Sequence, residues 1–293
     1  MKLVDKISSK KEHVIKYVFK TEDELILEFT YINKNDGKDI ICVPSETMCN
    51  LGCKFCHCTD YIGKLKVRNV SCVELFDGVE HIYEDVLMRA RPRTLLISWM
   101  GCGEPMNNTK EIISAMRLIR EHYETDVRFA IATCLPKKNW VEFFKFTNAV
   151  KENNLNVKIH LSLHYVMDTI RKHWMPAVLD IIPSISAVDF FKKMTGNNIE
   201  IHYTLIDGVN DSEQDAILLA ELIKDKDFNV KFLFYSEREI IEGKPSPKER
   251  VKLFEKHFET YNIKSEYYIP PGLSISTSCG QFAFENFIKY KDS

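Results

Sequence analysis

The apolar and polar positions change their period along the chain. Over residues 13–32 they alternate every second residue on either side of the turn-like segment TEDE, which predicts a β-hairpin. A short strand over 39–45 follows, and after it short apolar runs alternate with segments of helical period. The predicted strands of this part are 93–100, 128–134, 157–164, 199–206, 230–236 and 265–269. The predicted helices are 72–90, 110–122, 139–153, 185–195, 212–225 and 247–260.

Strands that alternate with helices favour a parallel sheet, either open or closed into a barrel. About six strand–helix units follow one another, which is too few for an eight-stranded barrel. We therefore predict an α/β fold in two parts. An N-terminal β-hairpin extension covers residues 1–38, and a partial (β/α)6 barrel covers residues 39–293.

Composition narrows the function classes. A chain of 293 residues can bury a large core without disulfides, and its net charge of −2 gives no global basic field. The lysine-rich first 20 residues are interpreted as a solvated face. The N-terminus has no signal-peptide pattern, and no apolar stretch approaches the ~18 residues that span a bilayer, so we expect a cytoplasmic protein without a membrane partner. Nine cysteines in a reducing compartment favour metal or catalytic thiols over a disulfide framework.

Three of these cysteines form a compact motif after the strand 39–45. Cys49, Cys53 and Cys56 are spaced C-x3-C-x2-C. Three thiolates can hold three irons of a [4Fe–4S] cluster and leave the fourth iron open for a small molecule with an amine and a carboxylate, whereas electron-transfer clusters and structural zinc sites use four protein ligands. The motif resembles that of radical S-adenosylmethionine (SAM) enzymes. The alternatives are a zinc site or chance clustering. Cys58 is interpreted as a spectator, because its spacing from Cys56 disfavours joint chelation.

A glycine-rich turn, GCGEP, follows the buried strand 93–100. Glycines let the backbone approach a ligand closely. We expect Gly101, Gly103 and Glu104 to meet the amino group and the methionine part of SAM, although such a sequence alone indicates only a turn. Ser162 ends a later strand and is a candidate for SAM's polar end, or an ordinary strand-end hydroxyl.

Several segments, in order, resemble the RlmN/Cfr family of radical SAM RNA adenosine methyltransferases. They are IKYVFKTEDELILEFTYI, CVPSETMCNLGCKFC, MGCGEPMNN, LSLHYVMDTIR, YTLIDGVNDS and SISTSCGQF. The resemblance implies a radical SAM partial barrel, a [4Fe–4S] cluster and SAM as cofactors. It adds Pro105, His164 and Ser236 to the expected SAM-binding residues, with Ser236 standing near the position of a family asparagine.

The resemblance also implies a reaction with two further cysteines. In the family, a thiolate at the position of Cys279 takes a methyl group from one SAM. Reduction of a second SAM yields a 5′-deoxyadenosyl radical, which removes hydrogen from that S-methyl group, and the carbon radical adds to adenine. Cys42 then releases the product by closing a disulfide with Cys279. Glu28 stands near a family glutamate proposed to remove the ring proton, and is otherwise an exposed hairpin residue.

The sequence departs from the family where substrate is handled. The N-terminal helical RNA-binding domain is not recognised, Glu46 replaces a glutamine before the cluster motif, and the segment YYIPPGLSIS lacks the family's arginines. Such basic side chains supply phosphate contacts in RNA binding. Ribosomal or transfer RNA remains the expected partner, with a small reducing flavoprotein as electron donor, and we expect a monomer.

Three hypotheses follow from these observations. The first is a methyltransferase that uses the methyl-cysteine relay. The second is a radical SAM enzyme that acts on a small molecule or peptide without the relay. The third is a non-catalytic iron–sulfur or RNA-binding homologue. The first accounts best for GCGEP and for the two distant cysteines.

Overall fold

The computed structural model describes residues 1–88, 92–237 and 243–275. Ten strands form one sheet in the order of the chain. The strands are β1 (Lys2–Ser9), β2 (Val14–Lys20), β3 (Ile26–Asn33), β4 (Lys38–Cys42), β5 (Thr94–Trp99), β6 (Asp126–Thr133), β7 (Val157–Ser162), β8 (Ile199–Leu205), β9 (Asn229–Phe234) and β10 (Ser265–Tyr268). The helices are α1 (Cys72–Ile82), α2 (Thr109–His122), α3 (Trp140–Glu152), α4 (Asp168–Trp174), α5 (Ile181–Thr195), α6 (Glu213–Ile223) and α7 (Lys248–Thr260).

The N-terminal extension has one more strand than a hairpin. Strands β2 and β3 pair antiparallel as predicted, with Tyr17 opposite Phe29. The additional strand β1 pairs with β2 and lies at the edge of the sheet. Its alternation is hidden by lysines, which are common on edge strands because charge prevents pairing with other chains. The solvated face expected for the first residues is thus part of an edge strand.

The remaining strands form the parallel half of the sheet and confirm the predicted α/β class. Strands β4 to β10 pair in parallel, and every crossover between them contains at least one helix. Every residue of β8 is buried, as expected for a strand covered on both faces. The short helix α4 was not predicted, since seven residues give little periodic signal. Within the described ranges, no helix is long and apolar enough to cross a bilayer.

The two ends of the described chain meet beside the sheet. The backbone amide of Gly272, beyond β10, donates to the carboxylate of Glu12 in the β1–β2 turn at 2.9 Å, and Ser274 also contacts Glu12. The ammonium of Lys34 lies 5.3 Å from the ring centre of Tyr268. Side chains therefore connect the two edges of the sheet, while the pairings seen among the described strands do not close it into a barrel.

Candidate active site

Two adjoining cavities lie within the curve of the parallel strands. The first, here called the cluster cavity, has a volume of about 190 Å3 and lies at the carboxyl ends of the strands. The second, here called the lower cavity, has a volume of about 520 Å3 and extends toward their amino ends. Met100, Gly101 and His202 line both cavities. The carboxyl ends of parallel strands are where α/β barrels place their chemistry.

The three motif cysteines line the cluster cavity on the loop between β4 and α1. The loop is fixed by its own backbone and by a neighbouring helix. Cys56 N–H donates to the carbonyl of Cys53 at 3.0 Å, and Lys54 N–H donates to the carbonyl of Trp174 at 2.8 Å. Gly52 has a φ of +73°, a conformation that favours glycine. The short helix α4 therefore supports the loop.

The thiol arrangement fits a cluster better than a single zinc ion. Among the described residues, no three thiols lie within 4.8 Å of one another. A tetrahedral zinc site with Zn–S bonds of ~2.3 Å would bring its sulfurs to about 3.8 Å. Burial raises the pKa of Cys49, and a hydrogen bond with Cys58 together with burial raises that of Cys56. A bound cationic group would be needed to hold these groups as thiolates, so the donor set fits a [4Fe–4S] cluster.

Cys58 lines the cluster cavity beside the motif cysteines and contacts a thiol of the GCGEP turn. Its sulfur is 3.8 Å from that of Cys102, and both residues are buried. This contact joins the cluster loop to the turn after β5. Because Cys58 also lines the cluster cavity, its role as a spectator stays a prediction.

The glycines of the GCGEP turn allow two loops to pack closely. A Cβ atom at Gly101 would lie 2.7 Å from the carbonyl oxygen of Val43. A Cβ atom at Gly103, whose φ is +102°, would lie 2.4 Å from Ser45 Oγ and 2.5 Å from the amide nitrogen of Glu46. Both glycines also line the cluster cavity. Both positions therefore require glycine mainly because the turn packs closely against the cluster loop. The predicted close approach to a ligand is a secondary reason.

Glu104 presents a buried carboxylate at the cluster cavity. It accepts hydrogen bonds from Thr133 Oγ1 at 2.5 Å and from the amides of Met106 and Cys134 at 3.1 Å each. Burial raises the pKa of the Glu104 carboxyl. A buried carboxylate held in this way can bind an ammonium group. Pro105 begins a short 3₁₀ turn, Pro105–Asn107, and lies outside the wall of the cavity.

Glu46 joins the cluster loop to the GCGEP turn through its side chain. Its carboxylate accepts the amide N–H of Glu104 at 2.8 Å and the side-chain amide of Asn107 at 3.2 Å. The residue is 4% exposed. Burial raises the pKa of Glu46 to about 7. The loop contact is therefore sensitive to protonation near neutral pH.

The ends of β7 and β8 supply the opposite wall of the cluster cavity. Ser162 and His164 line it, and the imidazole of His164 packs edge-on against Phe55 with ring centres 5.0 Å apart. His164 Nδ1 accepts the amide N–H of Thr204 at 3.1 Å. Asn210, which is 1% exposed, donates to the carbonyls of His164 and Thr204 at 2.7 Å each. Ser236, just after β9, completes this wall.

Arg171 stabilises the same strand ends by donating hydrogen bonds to their carbonyl groups. It is fully buried and lies on α4. Its guanidinium donates to the carbonyls of Ser162 at 3.0 Å, Leu163 at 2.5 Å and Cys134 at 3.1 Å. These carbonyls would otherwise lose water without gaining a partner, so Arg171 fixes the shape of the cavity.

Known proteins resemble this chain over most of its length. The RNA methyltransferase RlmN of Clostridioides difficile, named as probable and dual-specificity, is 29% identical over 94% of this chain and 78% of its own length. The protein of the same name from Chloroherpeton thalassium is 26% identical over 94% of this chain and 74% of its own length. A radical SAM methyltransferase structure from Sphaerobacter thermophilus has a TM-score of 0.83 and 25% identity over 95% of this chain and 80% of its own. This chain is similar to the RlmN-like radical SAM methyltransferases over most of its length.

The more distant likenesses of this RlmN-like chain concern the fold alone. SuiB of Streptococcus suis, in a structure bound to S-adenosylmethionine, has a TM-score of 0.53 and 14% identity over 78% of this chain and 46% of its own. No protein-family model matches the sequence. The resemblance to the RlmN/Cfr family and the α/β class are thus confirmed by the RlmN proteins and by the Sphaerobacter structure.

The remaining expected residues of the RlmN-like site are Cys42, Glu28 and Cys279. Cys42 and Glu28 line the lower cavity, not the cluster cavity. Cys42 pairs with Thr30 in the sheet, and Glu28 is two residues from Thr30 on the same strand face. A salt bridge of 3.4 Å joins Glu28 to the buried Lys16, so the hairpin residue is not exposed. Cys279 lies outside the described residues.

Several wall residues of the RlmN-like site were missed by sequence reasoning. Cys134 follows β6, lines the cluster cavity and contacts Glu104 with its sulfur at 3.2 Å. His202 and Thr204 on β8 also line this cavity. Position was a usable signal for Cys134 and Thr204, which lie at or just after the end of a predicted parallel strand. His202 lies in the middle of its strand, so position gave no signal for it.

Proposed function

We propose that this RlmN-like chain methylates an sp2 carbon of an adenosine in RNA by a relay in which Cys279 carries the methyl group. The observation that carries the proposal is the grouping of the three motif cysteines and Glu104 around one cavity that adjoins a second cavity with Cys42. The relatives are named as RNA methyltransferases, which supports RNA as the substrate class.

The cluster cavity is the proposed cofactor site. Cys49, Cys53 and Cys56 would hold three irons of a [4Fe–4S] cluster, which when bound supplies the electron for reductive cleavage of SAM. Glu104 would bind the ammonium group of SAM, because its carboxylate is buried at the cavity wall. Ser162, His164 and Ser236 would position the rest of SAM from the strand ends; their lining of the same cavity supports this assignment.

The relay assigns one bond change to each protein group. The Cys279 thiolate attacks the methyl carbon of one SAM, and S-adenosylhomocysteine leaves. The S-methyl group loses one hydrogen atom to the 5′-deoxyadenosyl radical, and its carbon adds to the adenine ring. The resulting radical adduct gives up one electron, which a bound cluster would take back, and Glu28 takes the ring proton. The Cys42 thiolate then attacks the sulfur of Cys279, and the carbon–sulfur bond breaks. Its electron pair passes to the substrate carbon, which takes up a proton to become a methyl group, and a disulfide forms that an external reductant must reopen.

Geometry in the lower cavity supports the assignment of Cys42 and Glu28. A residue and its diagonal neighbour on the adjacent strand have Cβ atoms ~7–8 Å apart. Glu28 has this relation to Cys42, because Thr30 is the direct partner of Cys42. A planar ring between the two side chains would be in reach of both. The disulfide further requires the Cα atoms of Cys42 and Cys279 to come within ~4.4–6.8 Å.

The test uses cluster-reconstituted protein, a reductant, SAM with a deuterated methyl group, and separate ribosomal and transfer RNA substrates. We expect methyladenosine with the label in one RNA, detected by mass spectrometry of nucleosides. Cys42→Ala is expected to accumulate a protein–RNA adduct, whereas Cys72→Ala, a cysteine on α1 outside both cavities, is expected to leave turnover unchanged. Formation of 5′-deoxyadenosine without any RNA methylation would contradict the proposal and favour a small-molecule or peptide substrate.

A further inference from the structure

Three buried side chains meet beside the lower cavity, away from the motif cysteines. His160 lies on β7, and Glu200 is its direct partner on β8, with His202 two residues further along the same face. His160 Nδ1 lies 2.8 Å from His202 Nε2 and 2.9 Å from Glu200 Oε1. His202 Nε2 lies 3.2 Å from the same oxygen. The three residues are 5–7% exposed.

Protons alone cannot satisfy this triangle of contacts. A neutral imidazole carries one N–H, and an ionised carboxylate only accepts. If both facing nitrogens carry hydrogen, two N–H groups oppose each other across 2.8 Å. If only one carries hydrogen, the lone pair of the other nitrogen faces the carboxylate oxygen. At least one side of the triangle is therefore repulsive in every protonation state of a neutral imidazole pair.

A single metal ion at the centre would satisfy all three atoms. Ligand bonds of ~2.0–2.2 Å place adjacent ligand atoms about 2.8–3.6 Å apart across octahedral and tetrahedral geometries. The observed separations of 2.8, 2.9 and 3.2 Å are close to this range. Two imidazoles and one carboxylate form a set that binds zinc and non-haem iron.

We propose that His160, Glu200 and His202 bind one divalent first-row transition-metal ion. Because His160 and His202 line the lower cavity, the remaining coordination positions face the cavity that contains Cys42 and Glu28. Nothing in the cluster motif contributes to this site. The proposal therefore stands independently of the methyl relay.

Two lysines contact the Glu200 carboxylate and are expected to influence the affinity of the site for a metal ion. Lys158 Nζ bonds Glu200 Oε2 at 2.5 Å and leaves Oε1 directed at the histidines. Lys231 Nζ lies 3.0 Å from Oε1 and 2.9 Å from the carboxylate of Glu266. The Lys231 ammonium thus competes with a metal ion for Oε1, and Glu266 is its alternative partner. Removing that ammonium is expected to tighten metal binding.

The experiment is a Co2+ titration of the anaerobic protein with its cluster already reconstituted, so that the motif thiols are occupied. Optical spectra report the ligands, and dialysis with elemental analysis reports stoichiometry. We expect one Co2+ per chain with a spectrum of nitrogen and oxygen ligands. His160→Gln, His202→Gln and Glu200→Gln are each expected to weaken binding at least about tenfold. Lys231→Met is expected to strengthen it, and His122→Gln, a surface histidine on α2, is the matched control.

Absence of bound Co2+ in the parent protein would overturn the proposal. So would binding that His160→Gln and His202→Gln leave unchanged, or a spectrum of thiolate ligands. Thermal unfolding of each variant without metal identifies variants that fail to fold. In that event the parent stoichiometry, its spectrum and the Lys231→Met titration still decide, because Lys231→Met removes none of the three ligands.

Discussion

Glu46→Gln is predicted to remove a pH-dependent loss of stability. Glu46 is buried between the cluster loop and the GCGEP turn, and its pKa is raised from 4.5 to about 7. The folded protein therefore holds this proton between pH 4.5 and 7, while the unfolded chain releases it. Stability contributed by this group must fall as pH rises through that window. A glutamine keeps an acceptor for the Glu104 amide and carries no charge.

The magnitude follows from the shift. A difference of 7 − 4.5 = 2.5 pKa units corresponds to about 3 kcal/mol once both states are ionised. Linkage gives a cost of about 1 kcal/mol at pH 5 and about 3 kcal/mol at pH 8. The advantage of Glu46→Gln over the parent should therefore grow by roughly 2 kcal/mol between these pH values.

The assay is urea unfolding of both proteins at matched pH from 5 to 8, followed by tryptophan fluorescence. Glu74→Gln is the control, because Arg68 and the Ser71 cap lower the pKa of that carboxyl despite its burial. Its stabilising charge is fully present above the ordinary pKa of 4.5, so the cost of Glu74→Gln should stay constant over this range. A stability difference between Glu46→Gln and the parent that does not change with pH would refute the reasoning.

Three further substitutions test how the cavity wall is held, each by urea unfolding at pH 7. Gly103→Ala should cost about 2–5 kcal/mol from backbone strain and contact with Ser45, whereas Gly63→Ala, with φ of +78° and open space, should cost only the strain. Equal costs would contradict the packing argument. Asn210→Asp should lower the free energy of unfolding by about 3 kcal/mol or more, because a carboxylate would face two carbonyl oxygens. If Asn210→Asp cost less stability than Asn210→Ala, repulsion between the carboxylate and the carbonyls would be contradicted. Arg171→Met should cost about 3–5 kcal/mol by leaving the strand-end carbonyls unpaired. Retention of the parent's stability would show that those carbonyls need no donor.

The parallel half of the fold was readable from sequence because its signals are local. Apolar runs such as that of β5 alternate with amphipathic helices, and this rhythm admits few topologies. Strand β1 and helix α4 were missed for opposite reasons. The lysines of β1 obscure its alternation, and α4 is too short to show a period.

Site residues could be predicted from sequence where the spacing of a motif indicates its chemical role. The motif cysteines, Glu104 and Ser162 were predicted by motif or strand end, and they line one cavity. The triangle of His160, Glu200 and His202 could not be predicted, because it depends on the register of β7 against β8. Likewise, the contacts that require Gly103 come from Ser45 and Glu46, more than 50 residues away in the chain, and no local pattern reveals them.

Methylation of Cys279 tests the central claim of the methyl relay most directly. The measurement is intact-protein mass spectrometry after anaerobic reconstitution with iron, sulfide and SAM, followed by mapping of the peptide that contains residues 265–290. The relay predicts a gain of one methyl group on Cys279 that is absent in Cys279→Ala. An unmodified Cys279 in protein that still cleaves SAM to 5′-deoxyadenosine under reductant would contradict it.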